Sequence, residues 1–204
     1  MRFLLQITFF VLSIIQFTQT HAKDDIQNGD IIFQTSLSAQ SKAIQLATES
    51  KYSHMGIIYK NGNHFFVFEA IQPVKLTPLD KWIARGQNGK YVIKRLKNAD
   101  QILTPTTLAK MKQIGNTFIG KNYDLTFEWS DDKIYCSELV WKIYKRATGI
   151  EIGKLQKLSD FNLSHEVVKK KMKERYGHKI PTEEIVISPA AMFDSNLLIT
   201  VKAN

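Results

Sequence analysis

The feature that most constrains this chain is the Asn61-Gly62 pair set between two β-like runs, residues 52–59 and 64–71. An Asn-Gly pair in such a setting is the strongest short-range hairpin signal a sequence offers, and it favours a two-residue turn. With Asn61 and Gly62 as the turn residues, Lys60 pairs with Asn63, and the two numbers of every cross-strand pair sum to 123, which sets His54 directly across from Glu69. Residues paired in this way have Cβ atoms about 4.5 to 5.5 Å apart on one sheet face, within reach of a carboxylate–imidazole hydrogen bond. A slip of one residue would put them on opposite faces. Phe66, Phe68 and Ala70 fall on one face of the second run and Phe65, Val67 and Glu69 on the other, so both faces read as buried. A glutamate on so apolar a strand needs a partner, and His54 is the nearest candidate.

The remaining elements follow from punctuation and periodicity. Asn28-Gly29 leads into a short strand over 30–34, and residues 38–48 read as a helix behind a serine cap. Residues 78–85 read as a short helix closed by Gly86, and 91–96 as a strand. Thr104-Pro105 supplies an N-cap with proline at the first helical position, and Met111, Ile114 and Phe118 share one face before Gly120. A loop over 121–135 precedes Cys136, after which positions 136, 140, 143 and 147 repeat at helical spacing up to a glycine stop at Gly149. Residues 164–176 read as a helix with Val168 and Met172 on one side and a basic face of Lys169, Lys170, Lys171, Lys173 and Arg175 on the other. Residues 189–194 form a helical turn and 197–201 a strand.

Composition bounds the class of molecule. The chain has 204 residues, 44% of them apolar, and one cysteine, which suffices for a packed core and excludes a disulfide framework or a Cys-rich zinc site. Met1-Arg2, an uncharged and mostly apolar run over 3–17, and Thr20-His21-Ala22 have the layout of a cleaved signal peptide over 1–22. The run is shorter than the roughly 20 residues that span a bilayer. A single domain over 23–204 and an exported, periplasmic or secreted location are expected. Removing 1–22 takes Arg2 from the 28 basic residues and leaves 27 against 19 acidic ones. That balance favours anionic envelope polymers or lipids as peripheral contacts, or only aids solubility, and export argues against nucleic acid.

A free cysteine in an exported chain invites oxidation, so it is either buried and inert or kept for its chemistry. Cys136 stands at a helix start, where the dipole and unpaired N–H groups favour thiolate. An imidazole can take the thiol proton and later give it to a leaving group, and a carboxylate fixes the imidazole tautomer. Cys136, His54 and Glu69 could fill these roles in acyl transfer at an amide or ester. Taken singly, each is more often a core or structural residue than a catalytic one. His64, His165 and His178 lack ligand-like spacing, and the sequence shows no metal-site, phosphate-loop or dinucleotide pattern, so no cofactor is expected.

These residues resemble the YiiX family. The likeness runs in order through residues 28–34 and 41–48, Tyr52-Ser53-His54, Val67-Phe68-Glu69-Ala70, Gly120-Lys121-Asn122-Tyr123-Asp124 and Trp129-Ser130-Asp131-Asp132. It continues through Tyr135-Cys136-Ser137-Glu138-Leu139-Val140-Trp141 and Glu174-Arg175-Tyr176-Gly177. The resemblance implies a circularly permuted, NlpC-type papain-like fold. In that fold class, α+β, an antiparallel, partly barrel-like sheet packs against a cysteine-bearing helix and its neighbours. It implies His54, Glu69 and Cys136 as the catalytic set. More loosely, it matches Tyr123 to a tyrosine that helps hold the oxyanion, against the alternative of a buried aromatic whose hydroxyl is satisfied elsewhere.

The superfamily includes cell-wall peptidases and amidases as well as lipid-directed esterases and acyltransferases of the lecithin:retinol acyltransferase kind. The expectation is therefore an exported thiol hydrolase acting on a cell-envelope amide or peptide. The alternatives are a lipid-directed esterase or acyltransferase, with Phe65, Phe66 and Phe68 lining an acyl pocket, and a catalytically silent envelope-binding module using the basic face over 169–179.

Overall fold

The apolar run after Asn28-Gly29 becomes β1 (Ile31–Gln34), wholly buried. The structure, a computed structural model, describes residues 26–204, so the expected signal peptide over 1–22 lies outside the described residues. Helix α1 (Ser41–Thr48) follows without the expected serine cap: Gln40 holds the N-cap and makes no capping hydrogen bond. Strands β2 (His54–Asn61) and β3 (His64–Glu69) form the expected hairpin.

Its register corrects the sequence reading. Asn61 pairs with His64 and Ile57 with Phe68, so the turn residues are Gly62 and Asn63 and the pairs sum to 125. Gly62 takes φ 59° at the first central position, where a type II′ turn calls for glycine, whereas the expected type I′ turn would also impose positive φ on Asn61. Moving the turn by one residue shifts the partner by two, which preserves the face. His54 and Glu69 therefore share a face but are diagonal neighbours, and continuation of the ladder brings Gly56 opposite Glu69. A Cβ on Gly56 would sit 3.4 Å from that of Glu69, 2.5 Å from Val67 Cγ1 and 2.6 Å from the Phe68 carbonyl oxygen.

Strand β4 (Lys75–Pro78) pairs with β3, and α2 (Leu79–Ala84) follows it directly. After β5 (Val92–Leu96) and the short α3 (Ala99–Ile102) comes α4 (Pro105–Asn116), whose Thr104 cap accepts from the Thr107 N–H as the sequence predicts. The expected loop over 121–135 contains a two-residue parallel pair, β6 (Asn122–Tyr123) and β7 (Lys133–Ile134). Helix α5 (Cys136–Thr148) ends at Gly149 with φ 79°. Strand β8 (Gln156–Lys157) pairs with β9 (Ile185–Val186) around α6 (Glu166–Tyr176), which His165 caps. Helix α7 (Pro189–Phe193) leads to β10 (Leu198–Ala203).

The main sheet runs β10-β5-β1-β2-β3-β4, antiparallel at each step. One face, with Phe33, Met55, Ile57 and Phe68, packs on Leu139, Val140 and Ile143 of α5. The other, with Ile32, Ile58, Val67 and Ile93, packs on Trp82 of α2. Each fully buried side chain of this size contributes about 1.5 to 3 kcal/mol, so α5 is held firmly with its N-terminus at the His54 end of β2. Among the described residues no helix is long and apolar enough to cross a membrane.

Candidate active site

Cys136 is the first residue of α5, behind an extended Tyr135 at the N-cap (φ −106°, ψ 168°), and only 2% of it is exposed. His54 opens β2, nearly buried, with its ring stacked on Trp82 at 5.8 Å between centroids and 24° between planes. Its Nε2 meets Glu69 Oε2 at 2.6 Å. That leaves Nδ1 for Cys136, whose side chain hydrogen-bonds the same ring. The imidazole thus stands between thiol and carboxylate.

Glu69 is wholly buried and also accepts from Thr77 Oγ1 at 2.5 Å and from Arg85 Nη2. Burial alone would raise its pKa, but His54, Thr77 and Arg85 outweigh it and hold the carboxyl below its ordinary value. Burial likewise opposes a charged His54, yet the bonds to Cys136 and Glu69 raise its pKa to about 9. Burial pushes the Cys136 thiol up, while His54 and the backbone at Met55 and Ser137 pull it further down. Together these shifts favour the thiolate–imidazolium pair, with the Glu69 carboxylate behind it.

Tyr123, on β6, also brings its hydroxyl to the thiol. Gln40 Nε2 donates to Tyr123 Oη at 2.9 Å, and Arg175 Nη2 donates to Gln40 Oε1 at 2.5 Å. The Tyr123 hydroxyl pKa lies well above its ordinary value, through burial first and the neighbouring Cys136 second, so it stays protonated and able to donate.

Two cavities adjoin these residues. A narrow, mostly apolar one of about 90 Å³ reaches Cys136 between α1 and α6, with Ala43, Ile44, Phe161, Val168 and Met172 in its wall. An open groove of about 1210 Å³ runs past His54, Arg85, Gln72 and Leu125. Gln40, Tyr123, Lys171 and Arg175 line both. Part of the basic face of α6 is therefore turned to the site rather than to solvent. Phe65, Phe66 and Phe68, expected as lining for an acyl pocket, do not line the cavity at Cys136: Phe68 is in the main core and Phe65 packs on the opposite sheet face.

Sequence reasoning missed Thr77, Arg85, Trp82 and Gln40. Lys75–Pro78 is four residues long and carries a proline, so it showed no strand period, and Arg85 falls just past a helix end. Arg175 was noted only on the basic face of the helix over 164–176 and within the Glu174-Arg175-Tyr176-Gly177 stretch.

A model of the family described as permuted papain-like amidase enzyme, YaeF/YiiX, C92 family, matches residues 25–202. The uncharacterized protein YiiX of Escherichia coli is 51% identical over 175 residues, spanning 86% of this chain and 85% of that protein. The crystal structure of the metalloprotein YiiX from Escherichia coli O157:H7 superposes with a TM-score of 0.83 at 51% identity, covering 87% of this chain and 97% of that one.

Proposed function

Because this chain belongs to the YaeF/YiiX family of permuted papain-like amidases, we propose that it hydrolyses an amide bond through a Cys136–His54–Glu69 triad and an acyl-enzyme. The observation that carries this reading is the buried His54 ring held between Glu69, at 2.6 Å, and Cys136.

The Cys136 thiolate attacks the carbonyl carbon, forming a C–S bond as the π electrons move to oxygen. Backbone N–H groups at the start of α5 and the Tyr123 hydroxyl are the donors available to that oxyanion. The His54 Nδ1 proton passes to the leaving nitrogen as the C–N bond breaks, and neutral His54 then deprotonates the water that cleaves the thioester. Glu69 keeps Nε2 protonated throughout.

The substrate is an envelope amide or peptide reached after export. The apolar run over 3–17 and the basic balance support that location. The apolar lining at Cys136 favours a second version, in which the acyl group is lipid-derived. The cavity is smaller than the ~150 Å³ that admits benzene, so as it stands it suits a few carbons next to the scissile carbonyl. The described residues contain no group of three or more His, Cys, Asp and Glu side chains placed to hold a metal ion, and the His54 nitrogens are committed to Cys136 and Glu69. The described residues therefore do not fit a metal ion of the kind implied by the description of the related structure as a metalloprotein.

Mass spectrometry of the intact protein after exposure to muropeptides and to N-acyl amides and esters of graded chain length tests the proposal. An acyl adduct on Cys136, lost in Cys136→Ala, is expected. Adducts from lipids alone would reject the cell-wall version, and no adduct from any donor would leave the silent binding module. N-terminal sequencing of the protein from a periplasmic fraction checks export, with Lys23 expected first.

A further inference from the structure

Gln40 at the head of α1, Tyr123 on β6 and Arg175 in the last turn of α6 meet as a wall shared by the narrow cavity and the wider groove. A primary amide can present either its oxygen or its NH₂ to a tyrosine, but a guanidinium carries only donors. Arg175 therefore decides: its Nη2 takes Gln40 Oε1 at 2.5 Å, which turns the amide NH₂ to Tyr123 Oη at 2.9 Å. With its oxygen accepting from Gln40, the phenol must send its hydrogen elsewhere, and the Cys136 sulfur is the neighbour it meets. Arg175 is itself held over the Phe127 ring at 4.9 Å, and Phe127 packs edge-on against Tyr135, the N-cap of α5, at 5.1 Å.

We infer that Arg175 is a positioning residue that acts through Gln40 to fix the direction of the Tyr123 O–H bond, making that hydroxyl a dedicated donor to the reacting end of Cys136. The inference rests on the reading of Cys136 as nucleophile and adds the device that orients its tyrosine. A hydroxyl aimed this way stabilises the thiolate before attack and the oxyanion after it; a hydroxyl turned to accept would do neither.

Gln40→Glu tests the direction. A carboxylate keeps the shape and the Arg175 contact but offers only acceptors, so Tyr123 would turn its hydrogen away from Cys136. The readout is the pH profile of Cys136 alkylation by iodoacetamide in the wild type, Gln40→Glu, Tyr123→Phe and the double variant. Gln40→Glu is expected to move the profile to higher pH and lower the neutral-pH rate by about tenfold. In the Tyr123→Phe background, where only the added charge acts, its effect should be distinctly smaller. Equal effects in both backgrounds overturn the inference. Arg175→Met should give part of the Gln40→Glu shift and Arg175→Lys should restore much of it; should Arg175→Met fail to fold, the Gln40 and Tyr123 cycle decides.

Parallel acylation by p-nitrophenyl acetate separates the two claims. A coupled shift without acylation of the wild type rejects the hydrolase reading and keeps the relay, whereas acylation with equal shifts does the reverse.

Discussion

Glu69 on β3 and Glu138 in the first turn of α5 are both wholly removed from solvent, and both lie close to the start of the cysteine helix, yet they are served differently. Glu69 receives donors from three elements: the His54 ring, the Thr77 hydroxyl and the Arg85 guanidinium. Glu138 meets Lys142 Nζ at 2.7 Å and the Tyr135 N–H at 3.4 Å. The charge of Lys142 is shared, since it also bonds the Ser130 carbonyl at 2.5 Å and Asp131 at 2.9 Å. Asp131 is paired with Arg146 as well, and its pKa falls to about 2. Burial pushes Glu138 up to about 8 against Lys142, whereas Glu69 stays below its ordinary value. Burial penalises both carboxylates, so convergent donors decide which can serve as a charge and which is a nearly neutral link at the helix start.

The largest test of this contrast is Glu69→Gln. An amide can donate to His54 and fix the wrong tautomer, so the burst of p-nitrophenolate from an activated ester should slow by about 10³-fold or more. Glu138→Gln should slow it by less than about tenfold. Similar losses in the two variants would erase the distinction.

Next is Gly56→Ala, which acts on the strand facing Glu69. The new Cβ would collide with Val67 Cγ1 and the Phe68 carbonyl, at a cost of about 1 to 3 kcal/mol, read as a lowered thermal midpoint. A midpoint at or above the wild type would mean that the ladder around Glu69 yields more readily than its burial implies.

Removing the Glu69 donors one at a time sharpens the comparison further. Thr77→Val should reduce the burst rate by about tenfold, because its buried hydroxyl bonds a charged group. Arg85→Met should cost less, since its side chain is 44% exposed and water can replace it. The reverse order would make Arg85 the chief support of the carboxylate.

The smallest effect is on stability against pH, where the two glutamates have opposite signs. Glu138 keeps its proton in the folded state up to about 8 and loses it near 4.5 when unfolded, so stability falls as pH rises through that window. Glu69, held below 4.5, contributes stability that is present above that value and lost as pH falls through its folded pKa. Glu138→Gln should flatten the decline between about pH 4.5 and 8 in urea midpoints. No separate loss of similar size is expected from about 6.5 to 9: the folded His54 keeps its proton to about 9 against an ordinary 6.5, but the folded Cys136 thiol gives up its proton earlier than in the unfolded chain, and the two slopes have opposite signs. An unchanged slope would show Glu138 to be ionised across the window.

The features legible in the sequence were those set by neighbours a few residues apart. The hairpin was readable from Asn61-Gly62, and its face survived the error in register because the turn moved by one residue and the pairing by two. Helix α5 was readable from the spacing of Val140, Ile143 and Ala147 and from Gly149, and α4 from Thr104-Pro105. Strands β6, β7, β8 and β9 were not, since two residues each carry no period. Of the site, the residue types with acyl-transfer chemistry stood out, but the groups that tune them did not: Thr77 reaches Glu69 from eight positions away and Arg85 from sixteen.

What the sequence determined by itself was the inventory and its local geometry: one thiol at a helix start, and an imidazole and a carboxylate on one face of a hairpin. These follow from turn chemistry and from the periods of helix and strand, which act within a few residues. Only the tertiary structure decided that α5 would bring Cys136 to His54, that Gln40 would meet Tyr123 across 83 positions and that Arg175 would meet Gln40 across 135. Those contacts depend on how helices bury their apolar faces against the sheet and against each other. The free energy of that burial is nearly indifferent to direction, so it carries no mark in the local pattern of the chain.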